Sequence, residues 1–248
     1  MKRIIIDSQA ELEDAIQHFG ILPFFRNELR GMSIEEMTAP GMIFGGNEYD
    51  GCWEWKGPVI RERRSAYGKF FKRKAGYVSL ELLPHFLNVR RETGVMKPDS
   101  IEELLLEIIS INECITSTEL RKYIAASERE IMVDEGLPVI GGDGEKRKKF
   151  SRHSLEGPLQ RLQMSGRLCI SDFKYKETKR GERYGWGVAE YSTPEFLFDF
   201  SDLFTDANPA ESLEILTEHV AAASGIRDLE KIREFIAGRR GDNKREKR

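Results

Sequence analysis

The stretch Ser100–Ser192 constrains the fold of this chain more than any other part of the sequence. It contains three helical patterns separated by short connections, at Ile101–Ile111, Ser117–Ala126 and Ser154–Ser165, with a short extended piece at Ile115–Thr116. Two segments of alternating polarity follow, Arg167–Tyr175 and Arg183–Tyr191, and predict a two-stranded wing. This order predicts a winged helix, a unit that most often binds nucleic acid but that also serves as a plain packing unit.

The length of 248 residues leaves room for two domains. We expect an α+β fold, mostly helical, made of tandem winged-helix-like units with small antiparallel hairpins. The expected parts are a divergent, winged-helix-like helical unit with a hairpin at 1–98, a winged helix at 99–195, C-terminal helices at 196–238 and a basic, disordered tail at 239–248.

The composition favours a globular protein and assigns no nucleic-acid role by itself, because the net charge is −3. The sequence shows no signal peptide and no run of about 20 apolar residues, so we expect a cytoplasmic protein without a membrane partner. The three cysteines form no CxxC pair and the four histidines are scattered. We therefore expect neither a metal site nor a cofactor.

The third helix of the winged helix is the first candidate for DNA contact. Leu155, Leu159 and Leu162 recur at helical spacing and are expected to face the core. The outer face would then carry His153, Gly157, Gln160, Arg161 and Met164. Glutamine and arginine can read base edges through paired hydrogen bonds.

Basic residues flank this helix and provide a footprint for phosphates. Between Ile140 and Glu190 there are 12 basic and 7 acidic residues. The basic ones predicted to contact DNA are Lys148, Lys149 and Arg152 before the helix, and Lys174 and Lys176 near the tip of the wing. The alternative is a solvated face on a packing unit.

The stretch Trp53–Lys74 is the second candidate, because it interleaves eight basic residues with five aromatic ones. Cations for phosphates beside aromatic faces for bases can hold unstacked nucleotides. The residues predicted to do so are Trp53, Trp55, Lys69, Lys72, Arg73 and Lys74. The alternative places the tryptophans in a core and the basic side chains in water.

Glu54 is a weaker candidate for a catalytic acid or base, because it stands between two tryptophans. If the segment is a strand, however, Glu54 points away from both rings. A surface or structural role is the alternative for this carboxylate.

Several short motifs resemble a group of bacterial proteins called AlkZ-related. They are Gly51-Cys52-Trp53-Glu54-Trp55-Lys56, Ala66-Tyr67-Gly68-Lys69-Phe70-Phe71, Ala75-Gly76-Tyr77-Val78-Ser79, Leu162-Gln163-Met164, Tyr184-Gly185-Trp186-Gly187-Val188-Ala189 and Tyr191-Ser192-Thr193-Pro194-Glu195. This group is distantly related to the AlkZ/YcaQ DNA glycosylases, which are built from tandem winged helices and cut the N-glycosidic bond of alkylated or crosslinked bases. The resemblance implies tandem winged helices, duplex DNA as partner and a role in DNA repair.

The chain departs from that group of enzymes at their catalytic motif. Those glycosylases carry Gln-x-Gln or Gln-x-Asp after an N-terminal helix, whereas this chain has Leu22-Pro23-Phe24-Phe25 at the comparable place. Proline and phenylalanine can neither position a water nor stabilise an oxocarbenium-like state. The leading hypothesis is therefore a winged-helix DNA-binding protein related to AlkZ-type glycosylases. The alternative is a catalytically inactive winged-helix module for regulation or protein interaction.

Overall fold

The structure is a computed structural model that describes residues 4–44, 51–92, 98, 100–124, 155–181 and 183–238. The expectation of a mixed α+β fold is confirmed, because helices surround two small antiparallel sheets of three strands each. In the described ranges, no helix is long and apolar enough to cross a membrane.

The first sheet lies in the N-terminal part of the chain. The elements there are α1 (Gln9–Phe19), β1 (Ile21–Pro23), α2 (Ile34–Met37), α3 (Cys52–Arg61), β2 (Ser65–Phe71), β3 (Lys74–Ser79) and α4 (Leu83–Glu92). The strand order is β1-β3-β2, so β2 lies at one edge of the sheet. Its core is rich in fully buried aromatic and aliphatic side chains such as Ile16, Phe24, Phe70, Tyr77 and Phe86.

The second sheet follows in the order expected from the sequence. The elements are α5 (Ser100–Asn112), β4 (Cys114–Thr116), helical residues 117–124, α6 (Glu156–Met164), β5 (Cys169–Glu177) and β6 (Arg183–Ser192). The strand order is β4-β6-β5, and the small core includes Leu105, Ile109, Leu120, Leu159 and Leu162. Ala125, Ala126 and Ser154, at the ends of two predicted helices, lie outside the described residues.

The C-terminal helices pack on the N-terminal core. They are α7 (Pro194–Leu197), a 3-10 turn (Phe200–Asp202), α8 (Pro209–Ser224) and α9 (Leu229–Ala237). Leu216, Val220 and Phe235 belong to the same buried cluster as the first sheet, and Phe235 stacks on Phe71 with ring centroids 5.1 Å apart. The predicted basic tail at 239–248 lies outside the described residues.

Hydrogen-bonded caps fix where two of the helices begin. The Ser8 hydroxyl accepts from the Glu11 amide at 3.3 Å, at the start of α1. At the end of β4, Thr116 Oγ1 accepts from the Glu119 amide at 3.2 Å, while the Glu119 carboxylate accepts from the Thr116 amide at 2.9 Å. Each cap satisfies amides that a helix leaves without an intrahelical partner, as the Ser/Thr-x-x-Glu patterns predict.

The segment around Trp53 is helical, so a strand geometry for Glu54 does not apply. Successive residues of a helix are about 100° apart, and Trp53, Glu54 and Trp55 therefore point in three directions from the first turn of α3. The helix includes Pro58 near its middle. Glycine and proline in this segment hide the helical pattern from sequence reasoning, because both are poor helix formers.

Arg90 joins three helices through a buried guanidinium group. The side chain lies 5.1 Å from the Phe86 ring, and Nη1 donates to the carbonyl of Met164, at the end of α6, at 3.1 Å. Nη2 lies 3.5 Å from the carbonyl oxygen of Phe235 in α9. Carbonyls near helix C-termini carry partial negative charge, so a cation is well placed there.

Gln163 connects α6 to β2, the edge strand of the first sheet. It is 1% exposed, its Oε1 accepts from the Lys69 amide of β2 at 2.9 Å, and its Nε2 donates to the Leu159 carbonyl. The β2–β3 register is irregular between Gly68 and Phe71, which leaves the amide of Lys69 outside the ladder. The Gln163 side chain therefore supplies an acceptor that this sheet edge lacks.

We expect Gln163→Leu to lower the free energy of unfolding by about 1–3 kcal/mol, because the Lys69 amide would stay buried without an acceptor. Gln160→Leu on the same helix is the matched control and should change stability by less than about 0.5 kcal/mol. Urea unfolding followed by circular dichroism measures both values. Equal losses in the two variants would contradict the role given to Gln163.

Lys56 is a buried cation between α3 and β5. The side chain is 2% exposed, and Nζ lies 3.9 Å from the Trp53 ring centroid and 4.5 Å from that of Phe173. Nζ also donates to the Trp53 carbonyl at 2.6 Å. Burial lowers the pKa of Lys56 to about 8, and the negative charge of Glu54 offsets only part of that effect.

This lowered pKa predicts that stability rises with pH between about 8 and 10.5. In that range the unfolded chain still protonates Lys56 while the folded chain releases the proton, so the cost of burying the charge disappears. Relative to Lys56→Met, the wild type should gain up to about 3 kcal/mol of unfolding free energy between pH 7 and pH 10. Parallel stability curves for the two proteins would show that the amine is not desolvated.

Candidate nucleic-acid interface

A bulge interrupts the pairing of β5 and β6, the two strands predicted to form a wing, which we call the wing. Lys174 pairs with Val188 and Lys176 pairs with Tyr184, so residues 185–187 of β6 lie opposite the single residue Tyr175 of β5. Such bulges redirect side chains away from the ladder, and here the residue at the centre of the bulge is Trp186.

Two glycines allow this bulge. Gly185 has a φ of +73°, a left-handed conformation that other residues rarely adopt. A Cβ on Gly187 would lie 2.8 Å from the Tyr175 ring. The sequence Gly-Trp-Gly therefore places an indole on the wing and brings the neighbouring tyrosine close to the backbone.

Trp186 forms the outer end of a chain of aromatic contacts. It is 75% exposed, and its ring meets Trp53 of α3 edge-on, with centroids 6.2 Å apart. Trp53 is partly buried and also contacts Phe24 in the core and Phe44 at the surface, at 5.6 and 5.7 Å. We call Phe44, Trp53 and Trp186 the aromatic edge.

Glu54 lies at the junction between α3 and the wing, beside the aromatic edge. The Tyr175 hydroxyl is 3.5 Å from Glu54 Oε2, and the Arg183 guanidinium lies 5.0 Å from the Tyr175 ring. Burial, and next the negative charge of Glu54, raise the pKa of Tyr175. The phenol therefore stays protonated at neutral pH and can donate to the carboxylate.

The wing tip, residues 174–183, is cationic. It carries five basic and two acidic residues, and Lys176, Lys179, Arg180 and Arg183 are exposed. Lys174 is more constrained, because its Nζ lies 3.2 Å from the Glu190 carboxylate. That hydrogen bond raises the pKa of Lys174. The predicted contact residues Lys174 and Lys176 both lie on β5, and Lys176 is nearer the tip.

The structure places α6 between two packing surfaces. Leu155, Leu159 and Leu162 face the core of the second sheet as predicted. The prediction that Met164 lies on the outer face is wrong, because Met164 is fully buried. The helix also packs against β2, so a second side of it is covered.

The two predicted base-reading residues of α6 are engaged within the protein. The Arg161 side chain forms an ion pair with the buried carboxylate of Glu102 on α5. The Gln160 amide donates to the Glu156 carboxylate at 3.0 Å. The remaining predicted residues near this helix, Lys148, Lys149, Arg152 and His153, lie outside the described residues.

The cations of the β2–β3 hairpin have acidic or carbonyl partners in other elements. Lys69 lies 3.7 Å from the Glu156 carboxylate, and Lys72 forms an ion pair with Glu28. Lys74 donates to a backbone carbonyl at 3.1 Å. The positive charge counted along the sequence is therefore partly neutralised in space.

Three of the predicted residues of this stretch take structural positions. Lys72 and Arg73 form the two-residue turn between β2 and β3, both with positive φ, as a type I′ hairpin requires. Trp55 is partly buried against the N-terminal core.

Trp186 is a candidate site residue that charge and helical faces did not predict. The signal was present as two glycines around a tryptophan inside an alternating segment, because glycine within a strand marks a bulge or a close approach.

Among the described residues, no group of three or more His, Cys, Asp or Glu side chains could hold a metal ion.

Comparison with known proteins gives the chain a family. None of the curated protein sequences matches it. Among solved structures, it is similar to the DNA glycosylase AlkZ of Streptomyces sahachiroi at 12% identity and a TM-score of 0.48, over 90% of this chain and 53% of that one. The chain thus spans about half the length of that enzyme. The family model described as "AlkZ related" matches residues 6–237, so this chain belongs to the AlkZ-related family.

Proposed function

We propose that this protein binds duplex DNA as a winged-helix member of its family, in a role related to DNA repair, and that the wing makes the principal contact. The observation that carries the proposal is the exposed cationic wing tip beside the aromatic edge. Exposed lysine and arginine side chains neutralise phosphates and release counterions, which supplies most of non-specific DNA affinity.

The element order supports the winged-helix assignment of residues 99–195. A helix, a short strand and a second helix precede α6, and the two long strands β5 and β6 follow it. The short strand β4 pairs with β6, which joins the start of the unit to the wing in one sheet. We take residues 1–98 as a second, divergent unit and residues 196–238 as helices attached to it.

The wing is a better DNA-contacting element than α6. Two sides of α6 are covered by the second core and by β2, and Arg161 is held by Glu102. Side chains that are already engaged would have to break an ion pair before they contact a base. The wing tip, by contrast, extends from the sheet with exposed Lys179 and Arg180 at its turn.

The N-terminal segment supports binding without base excision. Leu22, Pro23 and Phe24 are buried in the first sheet and its core, where β1 pairs with β3. Side chains in this position fill the core and offer no polar group to a water molecule. Glu54, next to Tyr175, is a candidate for acid or base chemistry.

A salt titration with a fluorescent duplex tests the binding proposal. Removing two phosphate contacts with Lys179→Ala/Arg180→Ala should reduce the slope of log K against log salt by about 2 and weaken binding most at 50 mM salt. The matched control, Lys72→Ala/Lys74→Ala, removes the same charge from the hairpin and should change the slope by less than about 0.5. Fluorescence anisotropy between 50 and 200 mM salt measures both variants.

Two results would overturn this proposal. Wild-type protein that does not bind the duplex at 50 mM salt would remove DNA as the partner. A control variant that loses as much affinity as the wing variant would move the contact from the wing to the hairpin.

We expect no release of base when the protein is incubated with alkylated duplex DNA, because the segment after α1 is apolar and buried. An active DNA glycosylase serves as positive control, and mass spectrometry of the soluble fraction detects free base. Base release that disappears in Glu54→Gln, with duplex affinity unchanged, would instead identify Glu54 as a catalytic residue.

A protein-interaction module is the second candidate function, and one observation favours it. Phe200 and Phe204 stack with centroids 5.4 Å apart although they are 77% and 53% exposed. Exposed apolar pairs of this kind often belong to protein interfaces. This function would take precedence if the wild-type protein fails to bind DNA in the titration.

A further inference from the structure

We infer that Trp186 forms a stacking site for one unpaired nucleobase, so that the preferred ligand is DNA containing an extrahelical nucleotide rather than uninterrupted duplex. This inference rests on the proposed DNA binding and adds the class of DNA structure that is recognised.

The exposure of Trp186 is the first observation behind this site. An indole that is 75% exposed leaves most of a large apolar surface in water. The contact with Trp53 is edge-to-face, so it covers at most one face of the Trp186 ring and leaves the other face free. Every base has a π-face that can stack on such a surface.

The bulge and the contact with Trp53 restrict the position of Trp186. The bulge at 185–187 directs the side chain to the α3 side of the wing, where Tyr175 packs over Gly187. Trp53 is itself held by Phe24 and by the Lys56 amine. A stacking surface that is already oriented loses little conformational entropy when a ligand binds.

The charges around Trp186 suit a nucleotide. Arg183 lies on the same side of the wing, over the Tyr175 ring, and its guanidinium can pair with a phosphate. The Glu54 carboxylate, next to the Tyr175 hydroxyl, can accept from an N–H group on a base edge.

Charge complementarity favours nucleic acid over an apolar protein segment as the occupant. The wing tip that continues from Trp186 is cationic, with Lys176, Lys179 and Arg180 exposed. An apolar partner would leave these cations unmatched at the rim, whereas a DNA backbone neutralises them while a base covers the indole.

Two duplexes of identical sequence test this inference, one uninterrupted and one with a single extrahelical 2-aminopurine. Wild-type protein should bind the second at least about fivefold more tightly, which corresponds to about 1 kcal/mol for one stacked base. Stacking on the indole should also quench the 2-aminopurine fluorescence. Trp186→Ala should abolish the preference and the quenching.

Tyr184→Ala is the matched control, because Tyr184 is a 52% exposed aromatic residue of the same strand paired with Lys176. It should keep the preference, and Trp186→Phe should keep part of it. Equal binding of both duplexes by wild type, or a preference that survives Trp186→Ala, would overturn the stacking site while leaving duplex binding in place. Failure to bind either duplex would overturn the proposed function as well.

Discussion

The hydrogen bond from the Lys69 amide to Gln163 sets the relation between the two sheets. Strand β2 is an edge strand with an irregular ladder, and α6 supplies its missing acceptor. Because a neighbouring side of α6 carries the leucines of the second core, the helix is covered on two sides. We therefore assign α6 a mainly structural role and expect a partner to contact the wing.

Two basic stretches of the sequence differ in how far the fold neutralises their charge. The stretch Trp53–Lys74 and the wing are both basic in sequence. Folding brings Glu28 to Lys72, Glu156 to Lys69 and Asp172 to Arg61, so the charges of the first stretch are partly compensated by residues far along the chain. An exposed cation that is already paired contributes less to phosphate binding, because binding must first separate the pair.

The sequence predicted most helices and strands to within a few residues, because the capping patterns at Ser8 and Thr116 and the leucine spacing of α6 are local signals. The sequence did not predict features that depend on packing between distant parts of the chain. Met164 is buried on a helix that also packs against β2, and α3 was hidden by the glycine and proline within it. The aromatic edge combines α3 with the bulge at Trp186, which no spacing rule links.

At the junction between α3 and the wing, the buried amine of Lys56 contacts Trp53, and Trp53 contacts the exposed ring of Trp186. Lys56 is held against Trp53 and Phe173 without an ion pair, at the cost of desolvating its amine. The same amine donates to the Trp53 carbonyl, and Trp53 is the ring that Trp186 meets. The neutral amine can also donate to that carbonyl, so Lys56 can hold Trp53 beside Trp186 in either protonation state. Because deprotonation of Lys56 near pH 8 removes the cost of burying the charge, alkaline solution should strengthen the packing of α3 against the wing rather than loosen it.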